Sequence, residues 1–140
     1  MHARLRPRSS WPGRIAVTLA ATASVAGMVG TAPAEASVHK SCTMWRCADA
    51  RSAKLIWASK GPKGYPTSRG WYSWKGGKYN FTGGRFQNRE GELPRGATYY
   101  EYDVYPRKKG AHRDAYRIVV NRSSGVVWFS PNHYTDFYKL

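Results

Sequence analysis

The segment from Thr98 to Tyr105 reads TYYEYDVY and alternates with the two-residue period of a β-strand. Successive side chains of a strand point to opposite faces of its sheet. The two faces differ in composition, with Tyr100, Tyr102 and Val104 on one and Tyr99, Glu101 and Asp103 on the other. If the first set packs in a core, Glu101 projects from the opposite, open face of the sheet.

Two further strands and one helix complete the predicted fold. The runs Tyr116–Val120 and Val126–Ser130 are aromatic and β-branched, and a turn-forming NRSSG sequence separates them. The segment Ala48–Lys60 predicts a helix that ends at Gly61-Pro62. The expected buried face of this helix carries Ala48, Ser52, Leu55, Ile56 and Ser59. One helix followed by successive strands predicts an α+β fold, with one N-terminal helix packed on a small antiparallel β-sheet.

The first 36 residues have the pattern of a secretory signal peptide. Residues 1–14 carry arginines and no acid, Ile15 to Gly30 is an apolar run, and Ala34-Glu35-Ala36 has the small-x-small form of a cleavage site. The apolar run is shorter than the roughly 20 residues of a membrane-spanning helix. We therefore predict a signal peptide at 1–36, a single domain at 37–140, secretion to the extracellular space and no membrane anchor.

The net charge of the chain indicates which class of molecule it binds. The chain has 23 Lys and Arg against 8 Asp and Glu, a formal net charge of +15. Such a surplus suits binding to a polyanion, either a nucleic acid or an anionic envelope surface.

Cys42 and Cys47 have one intramolecular pairing available in an exported protein, which predicts a disulfide. With no histidine at ligand spacing from them, a zinc site is not expected.

The segment Gly61–Gly84 is rich in glycine, lysine and aromatic residues. This composition favours turns and a long irregular connection. Its aromatic side chains could pack against the sheet or stack on nucleic-acid bases. They are Trp71, Tyr72, Trp74, Tyr79 and Phe81.

A carboxylate, two guanidiniums and an imidazole are available for acid–base chemistry. Arg113 and Arg117 are four residues apart and share a face of an extended chain, and His133 follows a turn near the C-terminus. Together with Glu101 they form a minimal set for metal-free RNA transesterification, in which the 2′-hydroxyl of the substrate is the nucleophile. No metal and no cofactor is required by this chemistry.

Four motifs occur in the order FQNREGELP, YYEY, HRDAYRI and NHYTDF. Together they resemble the secreted microbial ribonuclease family that includes barnase and the guanyl-specific streptomycete enzymes. The resemblance covers about Lys54 to the end and implies the microbial ribonuclease fold. It implies an endoribonuclease that cleaves single-stranded RNA 3′ of guanosine through a 2′,3′-cyclic phosphate.

The resemblance also assigns roles to individual residues. It implies that Glu101 is the general base, that His133 is the general acid, and that Arg113 and Arg117 clamp the phosphate. The implied guanine-binding residues are Gln87, Asn88, Arg89 and Glu90, with Phe86 and Tyr134 lining the base site. A small acidic inhibitor protein in the producing cell is an implied partner, and a monomer is expected.

A carboxylate suits guanine, because the Watson–Crick edge of this base presents two adjacent donors that one carboxylate can accept. Adenine would leave that carboxylate unpaired.

The sequence departs from the family pattern before His133, where Pro131-Asn132 replaces a residue pair that ends in Asp. The loop residues Arg107, Lys108, Lys109 and His112 could contact flanking phosphates or form a solvated charged loop. Two rival functions for a chain of this charge are a non-catalytic secreted RNA binder on the same fold and a cationic membrane-active toxin.

Overall fold

The computed structural model describes residues 37–140, so the predicted signal peptide lies outside the described part of the chain. Within that range, one α-helix precedes most of the strands of a single sheet. The elements are β1 (Ser37–His39), α1 (Cys47–Trp57), β2 (Gly70–Ser73), β3 (Tyr79–Phe86), β4 (Tyr99–Asp103), β5 (Arg117–Asn121), β6 (Val127–Ser130) and β7 (Asp136–Lys139). The strand order across the sheet is β1-β7-β6-β5-β4-β3-β2.

The predicted fold class, one helix on a small antiparallel sheet, is wrong. The sheet has seven strands in the described residues. It is also mixed, because β1 pairs in parallel with β7, whereas the other neighbouring strands are antiparallel. The strands that the sequence did not reveal, β1, β2, β3 and β7, are short, glycine-interrupted or close to the chain ends.

The glycine-rich segment is not an irregular connection. It contains β2 and most of β3, which form a hairpin in which Trp71 pairs with Phe81. Gly76 and Gly77 have φ values of 66° and 70° in the short 3₁₀ turn between the strands. Only glycine adopts this left-handed backbone without strain, so the residues that suggested a loop are those of a hairpin turn.

The helix forms close to its predicted range but buries a different face. Its buried residues are Cys47, Ala50, Ala53 and Trp57, whereas Leu55, predicted to be buried, is 71% exposed. The Trp57 ring lies between aromatic rings of the sheet, and its indole N–H donates to the Asp103 carbonyl at 2.8 Å. The large aromatic residue therefore sets the rotation of the helix.

The predicted disulfide is confirmed, since Cys42 and Cys47 are bonded with their Cα atoms 5.7 Å apart. Both cysteines are buried in the cluster that packs between the helix and the sheet. The bridge therefore ties the chain before α1 to the first turn of the helix.

The two sheet faces bury different clusters. The helix side holds the larger one, which includes Tyr102, Val104 and Ile118, as the alternation in β4 indicated. The opposite side buries a smaller cluster at one end, where Leu93, Tyr99, Val119, Trp128 and Phe137 pack together. At the other end of the same face the strands present charged side chains. This division of one sheet face is what creates the candidate site.

Candidate active site

Glu101 and Asp103 project from the charged end of β4, two residues apart and on the same face. Asp103 pairs across the strands with Arg117, the first residue of β5. Arg113 lies in the loop that precedes β5. The strand register therefore brings two carboxylates and two guanidiniums together, and Glu101 is only 6% exposed.

Arg113 forms hydrogen bonds with both Glu101 and Asp103. Its Nη2 atom donates to Glu101 Oε1 at 3.0 Å and to Oε2 at 2.8 Å. Its Nε atom donates to Asp103 Oδ1 at 3.0 Å. Burial lowers the pKa of Arg113, but the hydrogen bonds and charges of Asp103 and Glu101 more than offset it, so the pKa is raised above its ordinary value. The guanidinium is permanently charged in this position.

Asp103 is the anchor of the cluster, and sequence reasoning gave it no role. Its side chain is fully buried and forms ion pairs with Arg107, Arg113 and Arg117. The Asp103 carboxylate fixes the positions of the three guanidiniums, because a buried negative charge is stable only when positive groups pair with it. The alternation in β4 placed Asp103 on the same face as Glu101, and this was the only sequence feature that could have identified Asp103 as a site residue.

Arg117 is the more buried of the two predicted clamp residues, with 2% exposure. Its Nε atom lies 3.2 Å from Asp103 Oδ1 and 3.5 Å from Glu101 Oε2. Its Nη1 atom donates to the Tyr116 carbonyl at 2.9 Å and to Asp114 at 3.3 Å. Within residues 37–140 the buried Nε has no hydrogen bond of good geometry, so this nitrogen interacts with Asp103 and Glu101 through charge alone.

A β-bulge makes room for the Glu101 carboxylate. The register of β3 against β4 shifts between Thr82 and Gly84, which leaves Gly83 as the extra residue. The Thr82 hydroxyl holds the bulge, because it donates to the Glu101 carbonyl at 2.7 Å and accepts from the Gly84 N–H at 3.0 Å. A Cβ atom on Gly83 would lie 1.5 Å from Glu101 Oε1. The Gly-Gly pair in the sequence is the mark of this close approach.

Replacing Gly83 with alanine is therefore expected to displace the Glu101 carboxylate. If Glu101 is the general base that the resemblance implies, RNA cleavage should fall about 100-fold, as a 1 Å misplacement of a reacting group can cause. The fold should survive, because the clash falls on the end of a side chain and the backbone of Gly83 is not left-handed. Gly96→Ala is the control for a substitution without a clash, since Gly96 has no atom near its missing Cβ; its left-handed backbone (φ 80°) makes alanine costly for stability but leaves the Glu101 carboxylate in place. Steady-state rates decide the matter, and equal losses in Gly83→Ala and Gly96→Ala would refute a steric role for Gly83.

His133 sits on a strained turn before β7. Its φ is 52° and that of Tyr134 is 71°. Its backbone N–H donates to the Ala115 carbonyl at 2.9 Å, which fastens the turn to the arginine loop. The imidazole is exposed and lines an open cavity of about 500 Å³ with five other residues. The six are His112, Arg113, Asp114, Ala115, Arg117 and His133.

Asn132, at the position where the resemblance implies an acid, supports this turn through its side chain. Its Oδ1 accepts the Asp136 N–H at 2.9 Å, and its Nδ2 donates to the Asp136 carboxylate at 2.7 Å. The Ser130 hydroxyl accepts the Tyr134 N–H at 2.8 Å. The Asn132 side chain is therefore committed to folding the turn.

The four residues that follow β3, Gln87 to Glu90, form a turn that we call the QNRE turn. It lies at the opposite end of β3 from the β2–β3 hairpin turn. Asn88, with φ 48°, folds the turn through its side chain, which donates to the Leu93 carbonyl at 2.8 Å and accepts from the Leu93 N–H at 3.2 Å. Gln87, Arg89 and Glu90 are exposed. Within residues 37–140 the Glu90 carboxylate has neither a hydrogen bond nor an ion pair that would occupy it.

Aromatic contacts join the QNRE turn to the His133 turn. The Phe86 and Tyr134 ring centroids are 4.8 Å apart, and those of His133 and Tyr134 are also 4.8 Å apart. Burial, and next the negative charge of Glu101, raise the pKa of Tyr134 well above its ordinary value. The phenol is therefore neutral and close to the Glu101 carboxylate.

The structure thus places Glu101 against Arg113 and Arg117, and these two arginines line the cavity together with His133. Ring contacts through Tyr134 and Phe86 lead from His133 to the QNRE turn. Of the extra basic loop residues, Arg107 binds Asp103 and Asp114, and only the others remain exposed. No group of three His, Cys, Asp or Glu side chains in residues 37–140 is arranged to hold a metal ion. Over the same range no helix has the length and apolar character to cross a membrane.

A protein-family model described as ribonuclease matches residues 32–140. No curated protein and no solved structure matches the chain. The matched residues include every residue that lines the cavity and both turns beside it.

Proposed function

The chain belongs to the ribonuclease family and is an enzyme that cleaves RNA, and we propose that it is a secreted, metal-independent endoribonuclease that cleaves single-stranded RNA 3′ of guanosine. Glu101 is the general base, His133 is the general acid, and Arg113 and Arg117 bind the scissile phosphate. The observation that carries this proposal is that the buried Glu101 carboxylate pairs with Arg113 and Arg117, and that these two guanidiniums line one open cavity with the exposed imidazole of His133.

The reaction begins with proton transfer from the ribose 2′-hydroxyl to Glu101. The 2′-oxygen attacks phosphorus, the bond from phosphorus to the 5′-oxygen breaks, and His133 protonates the departing oxygen. The products are a 2′,3′-cyclic phosphate and a free 5′-hydroxyl. Water then adds to the cyclic phosphate with the two residues in reversed roles, which gives a 3′-phosphate.

Arg113 and Arg117 have different roles in binding the phosphate. Arg117 is almost fully buried and cannot move far, so it presents a fixed positive charge to the phosphate. Arg113 has a more exposed side chain, and its Nη2 donors are shared between Glu101 and Asp103. A bound phosphate competes for these donors. As Arg113 turns toward the phosphate, the Glu101 carboxylate is released to accept the 2′-hydroxyl proton, and both guanidiniums stabilise the charge that grows on phosphorus.

Guanine is read by the QNRE turn. The Glu90 carboxylate accepts from N1–H and N2–H₂ of the base, and a backbone N–H of the turn donates to O6. The inward Asn88 side chain supports this role by keeping the turn in one shape, which spares the cost of ordering it on binding. Phe86 and Tyr134 provide the apolar wall between the base and the phosphate.

Glu90→Gln is expected to lower the preference for guanine over adenine about 10- to 100-fold, because an amide offers one acceptor to two donors. The measurement is the ratio of kcat/KM for GpU and ApU. Glu92→Gln is the matched control two residues away, and it should leave the ratio unchanged. A guanine preference that survives Glu90→Gln would contradict the base-reading role of the turn without touching the catalytic assignment.

The function itself is tested with the wild-type protein in EDTA. GpU should be cleaved to guanosine 2′,3′-cyclic phosphate and then to guanosine 3′-phosphate, and ApU should be cleaved more slowly. Loss of cleavage in EDTA would overturn the metal-independent mechanism. A product with a 5′-phosphate would overturn attack by the 2′-hydroxyl.

A further inference from the structure

The aromatic residues of the β2–β3 hairpin divide between the two faces of the sheet. Tyr72 and Trp74 lie on the helix side, where their rings are 5.5 Å and 5.1 Å from that of Trp57. Trp71 and Phe81 face the other way, edge to face at 5.0 Å. The helix-side rings are accounted for by the core. Trp71 is half-buried on the edge strand, on the same face as the catalytic carboxylate, and no core cluster includes it.

Cations accompany these outward rings. The Arg69 guanidinium carbon lies 5.5 Å from the Phe81 ring centroid, and that of Arg113 lies 4.6 Å from the same centroid. The Lys109 ammonium lies 5.3 Å from the ring of Tyr79, at the start of β3. We call Arg69, Trp71, Tyr79, Phe81 and Lys109 the hairpin platform. It is aromatic and positively charged, and it contains no acid.

Arg113 makes the hairpin platform continuous with the cavity. One guanidinium both binds Glu101 and covers Phe81, so no other side chain is needed to bridge the two surfaces. The QNRE turn lies beyond Phe86, at the opposite end of β3. Phe81 and Phe86 are separated by roughly 15 Å at the usual rise of a strand. The scissile phosphate, held by Arg113, falls between the two.

Resting on the proposed function, we propose that the hairpin platform is a subsite for RNA on the 3′ side of the cleaved bond, where a base stacks on Trp71 and the adjoining phosphates contact Arg69 and Lys109. Stacking on an aromatic ring suits any base, and clustered cations follow the backbone. Guanosine occupies the QNRE turn on one side of the scissile phosphate, so the strand that leaves the phosphate in the 3′ direction runs toward the hairpin. The platform thus gives affinity for long RNA without adding base specificity.

Binding can be measured without cleavage. A 2′-deoxy substitution at the guanosine removes the nucleophile, so oligonucleotides that carry this substitution bind and stay intact. The affinity of a dinucleotide is compared with that of the same unit extended by three nucleotides on its 3′ side or on its 5′ side. We expect the 3′ extension to raise the affinity of the wild-type protein roughly tenfold, in line with one stacked base. A gain confined to the 5′ extension would overturn the proposal.

Variants assign the gain to the platform. Trp71→Ala should abolish most of the gain from the 3′ extension, whereas Trp71→Phe should retain most of it. Trp45→Ala is the control for loss of a tryptophan elsewhere on the surface, because Trp45 is 73% exposed and lies against Arg46 on the helix side of the sheet. An undiminished gain in Trp71→Ala, or an equal loss in Trp45→Ala, would refute the subsite.

Arg69→Gln provides an independent variant if Trp71→Ala unfolds. Arg69 is exposed, so its replacement leaves the core intact. The gain from the 3′ extension should fall, and its dependence on salt should weaken by about one phosphate contact. A salt dependence identical to that of the wild type would count against the platform. Because binding is measured with an uncleavable strand, these results stand apart from the cleavage assay, and a protein that cleaves dinucleotides but gains nothing from extension would refute the subsite alone.

Discussion

Glu101→Gln is expected to lower kcat for cleavage of GpU by about 10²–10⁴-fold, the range usual for loss of a general base. Glutamine has nearly the shape of glutamate and retains an oxygen for Arg113, but it cannot accept the 2′-hydroxyl proton. KM should change little, since Arg113 and Arg117, the proposed phosphate-binding residues, remain. The measurement is steady-state kinetics at a temperature at which the variant is folded.

His133→Gln is expected to show a comparable loss, and the two variants differ in their pH profiles. A base and an acid acting together produce a bell-shaped profile of kcat/KM, so each variant should lose one limb. Glu101→Gln should lose the limb at low pH, and His133→Gln the limb at high pH. Because His133 is exposed, its replacement should leave the midpoint of denaturant unfolding unchanged. Full activity in either variant would contradict its assigned role.

Asp103→Ala is expected to reduce the free energy of unfolding by about 3–5 kcal/mol, the range found when one partner of a buried ion-pair network is removed. The carboxylate is fully buried between Arg107, Arg113 and Arg117. Without it, only Glu101 and the partly exposed Asp114 remain to offset the repulsion among three guanidiniums. Cleavage should fall as well, since Arg113 and Arg117 lose the contact that fixes them beside Glu101.

Asp114→Asn is the matched control for the stability of the cluster. Asp114 also pairs with Arg107 and Arg117, but its side chain is 33% exposed, so solvent screens much of its charge. Its replacement should cost about 1 kcal/mol or less. Denaturant unfolding of both variants gives the comparison, and equal costs for Asp103→Ala and Asp114→Asn would show that burial does not set the energetics of the cluster.

The fold was predictable where the sequence pattern had one reading. The alternation in β4 identified both the strand and its two faces, because a period of two has no other structural explanation. The hairpin was missed because glycines that signal a loop serve equally well in a bulge and in a tight turn. The helix was found, but its buried face was wrong, since Leu55 is as apolar as a core residue and only packing shows that Trp57 occupies the core instead.

The candidate site divides in the same way. Glu101, Arg113, Arg117 and His133 could be named from the sequence because they lie in motifs whose order resembles that of a family. Asp103 and Gly83 could not, although both shape the cluster. A buried carboxylate looks like a surface residue in a sequence, and a missing Cβ matters only when another strand brings a carboxylate against it.

The sequence by itself determined the residue types, since a basic chain with a strand that presents Glu101 and Asp103 on one face carries the groups for acid–base chemistry on RNA. It also determined one disulfide, because only two cysteines were present. The tertiary structure alone decided which charges meet. Arg107 and Arg113 lie in the loop between β4 and β5, and Arg117 begins β5. All three converge on Asp103 because the two strands pair in one register and the loop folds back. Attraction between charges falls with distance, so their partnership depends on packing that no local pattern records.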